Sequence, residues 1–354
     1  MTAGQLRSSL DAHRFDYDLP AERIAQTPLP RRDASRLMHL PPRGGVEDRA
    51  FTDLPELLRS GDLLVVNDTR VRAARIRGRR PEGGAAELLV LERLDNGGYA
   101  CLVRPARRLR VGTVVTITPS LAATVGEPVD GHPGARAVTF TGAAGGDVDA
   151  ALEAAGQVPL PPYIHSSLSD AGRYQTVYAA SPPQSAAAPT AGLHFTDTVL
   201  HRLHAGGVEV TAVRLDVGLA TFTPIRTAHI DDHVMHRERF ELPVHAADAV
   251  RRTRQRGGRV VAAGTTTVRV LETCAQRDGL VAPRHGVTDL YLRPGSHFQV
   301  VDGLLTNFHQ PRSSLLVLVA AFVGVERWRE AYDHALSAGY RFLSFGDCML
   351  CWRS

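Results

Sequence analysis

Short apolar runs alternate along this chain with longer stretches in which apolar residues recur every three or four positions. The first pattern is typical of buried strands and the second of amphipathic helices. A helix from residue 53 or 54 to 59, stopped by Gly61, precedes a predicted strand at 63–66. This order indicates a layered α/β body. After residue 156 the same patterns predict helices at 197–205, 246–255, 266–276, 313–323 and 326–338, and strands at 208–215, 259–263 and 289–292.

Between about residues 72 and 154 the texture changes to short β-rich stretches separated by Gly and Pro. Such spacing is typical of a small barrel. We therefore predict an α/β (α+β) large domain, formed by 1–71 and 155–354, which is interrupted by an inserted small all-β barrel domain at 72–154. Arginines crowd the insert, and they suit either a solvated surface or contact with nucleic-acid phosphates. They are Arg72, Arg75, Arg77, Arg79, Arg80, Arg104, Arg107, Arg108 and Arg110.

The amino-acid composition excludes some kinds of catalytic chemistry. A chain of 354 residues predicts two domains, and its formal charge is +4. The sequence contains no lysine, so all 41 basic residues are arginines. Schiff-base chemistry and lysine nucleophiles are excluded, whereas bidentate recognition of phosphate by arginine stays available.

Cysteine content and hydropathy predict a cytoplasmic location. The four cysteines are scattered, which suits a reducing compartment better than a disulfide framework. We interpret the Cys348-x-x-Cys351 pair as structural or incidental. No leader-like segment opens the chain, and the longest apolar run, 315–323, is about half a membrane span, so no membrane partner is expected.

Two junctions between a strand and the following segment carry polar residues. Asn67, Asp68, Thr69 and Arg70 follow the strand at 63–66, and ligands bind at such strand ends in α/β proteins. Gly264, Thr265, Thr266 and Arg269 follow the strand at 259–263, where a helix N-terminus can hold an anion or a carboxylate. Neither a P-loop nor a G-x-G-x-x-G motif is present, so the usual signatures for ATP and NAD are absent.

The stretch from Pro189 to Thr196 combines several special residues before a helix. Thr196 is a natural N-cap, Gly192 permits close approach of the backbone to a ligand, and His194 is placed to act as proton donor or base. Thr190 belongs to the same turn. The alternative is a plain capped turn with a packed histidine.

Three further groups are candidates. His233, His236 and Glu238 form a metal site only if the segment coils locally; otherwise they are substrate contacts or part of a polar loop. Asn307 and His309 are predicted in a turn before Pro311, and we interpret that turn as functional. Asp347 follows Gly346 near the end of the chain.

Ten ordered stretches together resemble the S-adenosylmethionine:tRNA ribosyltransferase-isomerase family of queuosine biosynthesis. The resemblance extends from Phe15 to about Leu350. It rests on YDLPAERIAQTPL, DASRL, FTDLPELLRSGDLLVVNDTRV, PLPPYI, RYQTVYA, AAPTAGLHFT, HVMHRERFEL, GTTTVRVLE, DGLLTNFHQPRSSLL and YRFLSFGDCML.

The resemblance implies a large α/β domain interrupted by a small β-barrel. It also implies that S-adenosylmethionine serves as ribosyl donor. The acceptor would be the aminomethyl group of a 7-deazaguanine in the anticodon arm of tRNA, and the products epoxyqueuosine, adenine and methionine. No metal, other cofactor or obligate protein partner is implied.

Such a reaction needs a base for the 5′ carbon, which the sulfonium acidifies, and a proton or hydrogen-bond donor for the leaving adenine. We assign this proton chemistry to His194 and His309, with Asp68 and Asp347 as second choices. The methionine carboxylate would suit the helix N-terminus at Thr265 to Thr267, or Arg269.

Two departures from the family's pattern keep alternatives open. Where the family has Leu-His-Val-Gly-Leu-Gly-Thr-Phe, this chain has Asp216 in place of the histidine and Ala220 in place of the second glycine. A divergent paralogue with a nucleoside or small-molecule acceptor is therefore an alternative. A non-catalytic RNA-binding protein and a metal hydrolase built on His233, His236 and Glu238 are the others.

Overall fold

The computed structural model describes residues 10–130, 134–142, 146–180, 183–276 and 278–353, apart from the side chains of residues 184, 219 and 220. The chain divides into two compact units. The large unit comprises Met1–Thr69, Pro161–Ala180 and Ala188–Ser354, and the barrel unit comprises Arg70–Leu160 and Ser181–Ala187.

Seventeen strands and seven α-helices are present in the described residues. The strands are β1 (Arg36–Leu40), β2 (Glu47–Ala50), β3 (Leu63–Asn67), β4 (Arg70–Val71), β5 (Arg75–Arg79), β6 (Ala85–Arg93), β7 (Tyr99–Arg104), β8 (Val114–Thr118), β9 (Leu121–Pro128), β10 (Ala135–Thr141), β11 (Pro183–Ser185), β12 (Glu209–Leu215), β13 (Glu238–Leu242), β14 (Val260–Ala263), β15 (Arg284–Thr288), β16 (Gly303–Asn307) and β17 (Cys348–Trp352). The helices are α1 (Leu54–Leu57), α2 (Val148–Ala155), α3 (Asp197–Ala205), α4 (Val244–Gln255), α5 (Thr265–Thr273), α6 (Ser314–Val323) and α7 (Val325–Ser337).

A nine-stranded mixed sheet runs through the large unit in the order β15-β13-β12-β3-β14-β16-β17-β1-β2. Its middle strands β12, β3, β14 and β16 are adjacent and mutually parallel. Strands β13 and β15 on one side, and the pairing of β16 with β17 on the other, are antiparallel. The carboxyl ends of the four middle strands therefore share one edge of the sheet.

The core of the large unit lies between this sheet and its helices. Alternate residues of the middle strands, such as Leu64 and Val66, pack with Val199 and Leu203 of α3 in one buried cluster. Burying a side chain such as Leu203 completely contributes about 2 kcal/mol. Helix α3 begins at Asp197 because the Oγ1 of Thr196 accepts the N–H of Val199. This packing fixes the chain immediately before α3, where several candidate residues lie.

Six strands of the barrel unit form a closed barrel in the order β10-β7-β6-β5-β8-β9. Its interior is a separate buried cluster that includes Ile76, Leu88, Val115 and Phe140. Helix α2 packs on this cluster through Leu152. Most of this helix lies within the segment that was predicted to be entirely β. It forms because residues 148–155 have a helical apolar period and follow a capping aspartate, Asp147.

The predicted mixed α/β class is confirmed, and the helix predicted at 197–205 has the observed bounds of α3. The strand predicted at 289–292 is wrong. The strand ends at Thr288, whose Oγ1 accepts the N–H of Leu290 and turns the chain out of the sheet. The true strand, β15, lies at the sheet edge with mostly exposed polar residues, so it lacks the apolar alternation that marks half-buried strands.

Helix length and cysteine state are further features of the described residues. None of the helices found there combines the length and the apolarity that crossing a bilayer requires. All four cysteines are buried and unpaired. Cys348 and Cys351 lie on β17 within the core.

Candidate functional site

The four parallel strands of the large unit each end in a predicted site residue or its neighbour. Strand β3 ends at Asn67, β16 ends at Asn307, β14 is followed by Gly264, and β12 is followed by Asp216. Ligands in α/β proteins bind at this edge of a parallel sheet. The sequence therefore collects polar side chains from distant segments at one place.

A cleft opens at this edge, and its two adjoining pockets enclose about 330 and 390 Å³ when the space open to solvent is included. Six residues line both pockets: Thr190, Thr221, Phe222, Asn307, His309 and Leu315. The side chains described along the cleft include no aspartate, glutamate or arginine; hydroxyls, amides, apolar groups and one imidazole form it. The other lining residues, each in one pocket, are Tyr163, Ala188, Pro189, Ala191, Val217, Gly264, Thr265, Thr266, Thr306, Phe308, Gln310, Ser313, Leu343 and Ser344.

The N-terminus of α5 forms part of the cleft wall. Gly264 has φ +97°, a conformation that favours glycine, and its N–H donates to Leu305 O at 2.7 Å. This bend starts α5 at Thr265. The N–H groups of the first helical turn have no partner inside the helix, so this end of α5 offers donors and a positive dipole end.

Asn67 joins three elements at the sheet edge. Its Nδ2 donates to Leu215 O at 3.0 Å and to the Oγ1 of Thr266 at 3.3 Å. Its Oδ1 accepts the N–H groups of Thr69 and Leu215, each at 3.1 Å. The amide is saturated by protein groups, so Asn67 positions β12 and α5 and does not line the cleft.

The other residues after β3 also lie outside the cleft lining. Thr69 Oγ1 donates to Asp216 Oδ1 at 2.7 Å, and burial raises the pKa of Asp216. Burial likewise raises the pKa of Asp68, against the opposing charge of Arg214, whose Nε lies 3.8 Å from Asp68 Oδ1. Arg70 belongs to the barrel unit, where it is exposed on β4.

His194, predicted to carry proton chemistry, lies behind the cleft wall. It is 3% exposed, its Nδ1 lies 3.0 Å from Ser35 Oγ, and its ring packs on Phe51. Burial, assisted by the charges of Arg341 and Arg32, lowers its pKa to about 3. The ring is therefore neutral at physiological pH, and it does not belong to the cleft lining.

Asn307 connects His194 to the cleft. Its Nδ2 lies 3.2 Å from His194 Nε2, 3.2 Å from Leu343 O and 3.4 Å from Asp347 O. Because carbonyl oxygens only accept, the amide nitrogen must face this side, and His194 Nε2 is an acceptor with the proton on Nδ1. Asn307 Oδ1 is buried and has no hydrogen-bond partner among the described residues. The sequence predicted Asn307 in a turn; it instead ends β16.

His309 is the imidazole that lines both pockets. Its Nε2 lies 2.8 Å from Thr306 Oγ1, and its backbone is fixed by Tyr332 Oη at the N–H and by the Tyr17 hydroxyl at the carbonyl. In the described part of the chain Nδ1 makes no hydrogen bond. Burial lowers the pKa of His309 to about 3, so the ring is neutral at physiological pH.

Asp347 serves the backbone around this wall. Its two oxygens accept the N–H groups of Arg36 at 2.9 Å and Arg341 at 2.8 Å, and burial raises its pKa. It lies outside the cleft lining. Within the segment that it holds, Leu343 lines one pocket with φ +69°, a strained conformation for a leucine.

Glu238, predicted as a metal ligand or substrate contact, anchors the loop that carries Thr221. Its Oε1 accepts the Gly218 N–H at 2.9 Å and the Thr221 hydroxyl at 3.1 Å, and its Oε2 pairs with Arg269. Burial acts to raise the pKa of Glu238, but the hydrogen bond from His236 and the charge of Arg269 lower it overall. Arg269 is itself buried and does not belong to the cleft lining, so its role as a carboxylate ligand stays a prediction.

The histidines of this segment do not form a metal site with Glu238. His236 Nε2 lies 3.1 Å from Glu238 Oε1 and 3.0 Å from Thr221 Oγ1, whereas His233 packs edge-on against Tyr291. Burial lowers the pKa of His233. No group of three or more His, Cys, Asp or Glu side chains suited to a metal ion occurs among the residues that the structure describes.

The turn before α3 differs in detail from its predicted role. Thr190 lines both pockets, but Thr196 caps α3 and donates to Asp33 Oδ2 at 3.2 Å. A Cβ at Gly192 would lie 2.2 Å from Tyr178 Oη and 2.7 Å from Thr176 Cγ2. Gly192 therefore permits close packing within the protein, where a ligand contact was predicted.

Sequence reasoning missed several lining residues. Tyr163 and Phe222 meet edge to face, with ring centroids 5.8 Å apart, and the Tyr163 hydroxyl lies 2.7 Å from Ser344 Oγ. Each belongs to a loop with no periodic pattern. The available signal is that Tyr163 and Ser344 fall within stretches that carry the family resemblance, and that Phe222 ends the stretch in which Asp216 and Ala220 depart from the family's pattern.

The chain is similar to known proteins over nearly its whole length. A family model described as "Queuosine biosynthesis protein" matches residues 12–351. A protein of Gloeobacter violaceus named S-adenosylmethionine:tRNA ribosyltransferase-isomerase is 49% identical over 95% of this chain and 94% of its own length. A protein of the same name from an Anaeromyxobacter species is 50% identical over 96% and 98%.

A solved structure is also similar. The crystal structure of S-adenosylmethionine tRNA ribosyltransferase from Thermotoga maritima has a TM-score of 0.54 and 37% identity, covering 96% of this chain and 99% of that one. The similarity extends through every segment that builds the cleft. The chain belongs to the queuosine biosynthesis protein family.

Proposed function

We propose that this protein transfers and isomerises the ribosyl group of S-adenosylmethionine onto an aminomethyl-7-deazaguanine of tRNA. The products are epoxyqueuosine in the tRNA, adenine and methionine. Family membership over nearly the full chain supports the reaction. We place the reaction in the cleft, because Thr190, the start of α5 and the segment from Thr306 to His309 all line it.

The cleft offers a group for each part of the donor. The N-terminus of α5 at Thr265 and Thr266 suits the methionine carboxylate, because free N–H groups and the helix dipole favour an anion there. Tyr163 and Phe222 supply aromatic surface for the adenine. Burial raises the pKa of Tyr163, so its phenol stays neutral and hydrogen-bonded to Ser344.

His309 is our choice for proton transfer. It is the described imidazole on the cleft, and its neutral state at physiological pH is the one that accepts a proton. With the Nε2 proton donated to Thr306, Nδ1 would face the substrate as an acceptor. The opposite tautomer would donate from Nδ1 to the leaving adenine instead.

His194 acts in this proposal as a positioning residue. Its neutral Nε2, with Leu343 O and Asp347 O, fixes the amide of Asn307 so that Oδ1 is left as an acceptor. A substrate N–H or O–H would satisfy that buried oxygen, which costs about 1–3 kcal/mol when unpaired. Asp68 and Asp347 are weaker candidates, because neither lines the cleft.

The Asp216 departure does not favour the alternative acceptor. Asp216 accepts from Thr69 and lies outside the cleft lining, so the departure places no carboxylate on the cleft. A tRNA substrate also supports the expected cytoplasmic location. No protein partner is required by the proposal.

We further propose that 72–154 is an inserted domain that folds independently of the body formed by 1–71 and 155–354. The closed six-strand barrel and its own buried cluster support this division. The compact barrel unit differs from these bounds: it begins at Arg70, extends to Leu160 and also includes Ser181–Ala187.

Adenine release tests the function. The protein is incubated with S-adenosylmethionine and with tRNA carrying the aminomethyl-deazaguanine, with unmodified tRNA, or with the free modified nucleoside. We expect adenine and methionine in equal amounts with the modified tRNA alone. Release with the free nucleoside at a comparable rate would indicate the small-molecule alternative, and RNA binding without release would contradict an enzymatic role.

A further inference from the structure

Strand β5 of the barrel unit carries a row of arginines on its outer face. Ile76 is buried in the barrel core, while Arg75, Arg77 and Arg79 alternate with the inward positions. Gly78 faces inward, where an added Cβ would lie 2.5 Å from Val115 Cγ1. Alternate residues of a strand lie about 7 Å apart. The row therefore presents guanidinium groups at regular intervals along one strand.

Strand register brings a second set of arginines to the same end of the barrel. Arg77 pairs with Glu87 of β6, and Glu87 pairs with Arg104 of β7, so the three side chains share the outer face. Strands β5 and β7 run in the same direction, because both are antiparallel to β6. Arg79 and Arg104 therefore lie toward the same end of their strands.

The connection from β7 to β8 crosses this end. Strand β8 is antiparallel to β5 and pairs Thr116 with Arg79, so it starts where β5 ends. Within the connection only Leu109 is buried, as part of the barrel core. That single anchor leaves Arg107, Arg108 and Arg110 exposed on either side of it.

Most of these arginines have no acidic partner. Arg75 is paired with Glu87 at 3.8 Å, and Arg80 with Glu82 at 4.0 Å. The remaining six are exposed, and no ion pair involves them among the described residues. We call these six the arginine patch: Arg77, Arg79, Arg104, Arg107, Arg108 and Arg110.

The chemistry around the patch specifies the kind of partner. The barrel unit contains only two aromatic residues, Tyr99 and Phe140, and both are buried. Among the described residues of this unit, no Phe, Tyr or Trp ring is thus exposed to stack on unpaired bases. Guanidinium groups bind phosphate oxygens in bidentate fashion, and a regular row of them suits a regular phosphate backbone. A duplex backbone fits better than splayed single-stranded bases.

We propose that the arginine patch binds the sugar-phosphate backbone of a helical stem of the RNA substrate. This inference rests on the proposed function, from which the RNA partner comes. Because the contacts are to phosphates, the patch contributes affinity and orientation, and the sequence of the stem is not read.

A charge-matched pair of triple variants tests the patch. The first is Arg107→Gln, Arg108→Gln and Arg110→Gln. The control, Arg43→Gln, Arg59→Gln and Arg251→Gln, removes the same formal charge from exposed arginines of the large unit. Dissociation constants for tRNA are measured over a range of salt concentrations, with competition by a blunt RNA duplex and by an unstructured single strand. The Michaelis constant for tRNA is measured from adenine release.

For the patch variant we expect affinity for tRNA at least tenfold weaker than the parent and a salt slope shallower by roughly 2–3, since each lost phosphate contact removes about 0.7–0.9. The control should stay within about threefold of the parent. The duplex should compete better than the single strand, and the turnover number at saturating tRNA should be unchanged.

Equal losses in the two triple variants, or a patch variant that binds like the parent, would overturn the inference, as would a preference for the single strand. These outcomes are separable from the proposed function. If tRNA binding depends on the arginine patch but the parent releases no adenine, the proposed function is contradicted and the role of the patch is supported. If the parent releases adenine and the patch variant has an unchanged Michaelis constant for tRNA, the proposed function is supported and the role of the patch is contradicted.

Discussion

His194 and His309 are both neutral at physiological pH because burial lowers the pKa of each to about 3. In the unfolded chain both would have ordinary values near 6.5. Between about pH 3 and 6.5 both imidazoles are therefore protonated in the unfolded chain and neutral in the folded protein. These two residues therefore make the free energy of unfolding decrease as the pH is lowered from about 6.5 toward 3.

Replacing His309 by Gln should flatten this dependence. Each buried neutral histidine contributes a slope of about 1.4 kcal/mol per pH unit between pH 3 and 6.5, so removal of one reduces the slope by about that amount. Urea unfolding at pH 4.5, 5.5 and 6.5 measures it. His297 is exposed, so His297→Gln is the matched control. An equal slope in His309→Gln and the parent would show that His309 is protonated in the folded protein.

At the scale of residues, the sequence pointed to Asn307 and His309 as candidate site residues, but it did not indicate which of the two imidazoles, His194 or His309, faces the cleft. His194 belongs to the stretch with the most special residues, yet its ring points to Ser35 and Asn307. Orientation depends on long-range packing, here on Phe51 from a distant segment. The positive φ of Leu343 likewise has no sequence signal, since no glycine marks it.

At the scale of elements, the turn before α3 is held in place by close packing at Gly192. Replacement by Ala places a methyl group against Tyr178 Oη and Thr176 Cγ2, which we expect to destabilise the fold by about 1–3 kcal/mol. The Tyr178 hydroxyl has no hydrogen-bond partner among the described residues. Tyr178→Phe alone should therefore be nearly neutral.

The double variant Gly192→Ala, Tyr178→Phe should recover part of the lost stability, because it removes the nearer of the two contacts. Thermal unfolding of the two single variants and the double variant completes the cycle. Strict additivity would contradict the packing explanation for Gly192.

The buried pair of Glu238 and Arg269 holds β13 to α5 and, through Thr221, one wall of the cleft. Glu238→Gln leaves the Arg269 charge buried without a counter-charge, which we expect to cost about 3–5 kcal/mol. Glu241→Gln on the same strand is the control, because the side chain of Glu241 is 49% exposed. Its effect should stay within about 0.5 kcal/mol in urea unfolding. A loss below 1 kcal/mol in Glu238→Gln would mean that the pair is not held as described.

Elements with strong apolar periodicity were predictable and edge elements were not. Strand β14 lies in the core and helix α3 packs one apolar face on that core, so both have a clear pattern and their predicted bounds agree closely with the structure. Strand β15 is an edge strand with exposed arginine and histidine, and its place was assigned to the following apolar residues. The pairing of Arg269 with Glu238 was also not predictable, because the two residues are 31 positions apart in the sequence.

At the scale of the whole molecule, the described cleft is built entirely from the large unit. Its walls come from Tyr163, from the turn at Thr190, and from strand ends more than 100 residues further along the chain. Sequence alone indicated the mixed α/β class and the change of texture at about residue 72. The convergence of distant loops on one sheet edge needed the strand order, which composition does not contain.

The central claim is that this cleft performs ribosyl transfer with His309 as its proton-transferring group. Single-turnover adenine release, with saturating S-adenosylmethionine and saturating modified tRNA, tests it most directly in the parent, His309→Gln and His297→Gln. We expect the rate to fall about 10²- to 10⁴-fold in His309→Gln, as for the loss of a general acid or base, and to stay within twofold of the parent in His297→Gln. A folded His309→Gln variant that releases adenine within tenfold of the parent would contradict the claim.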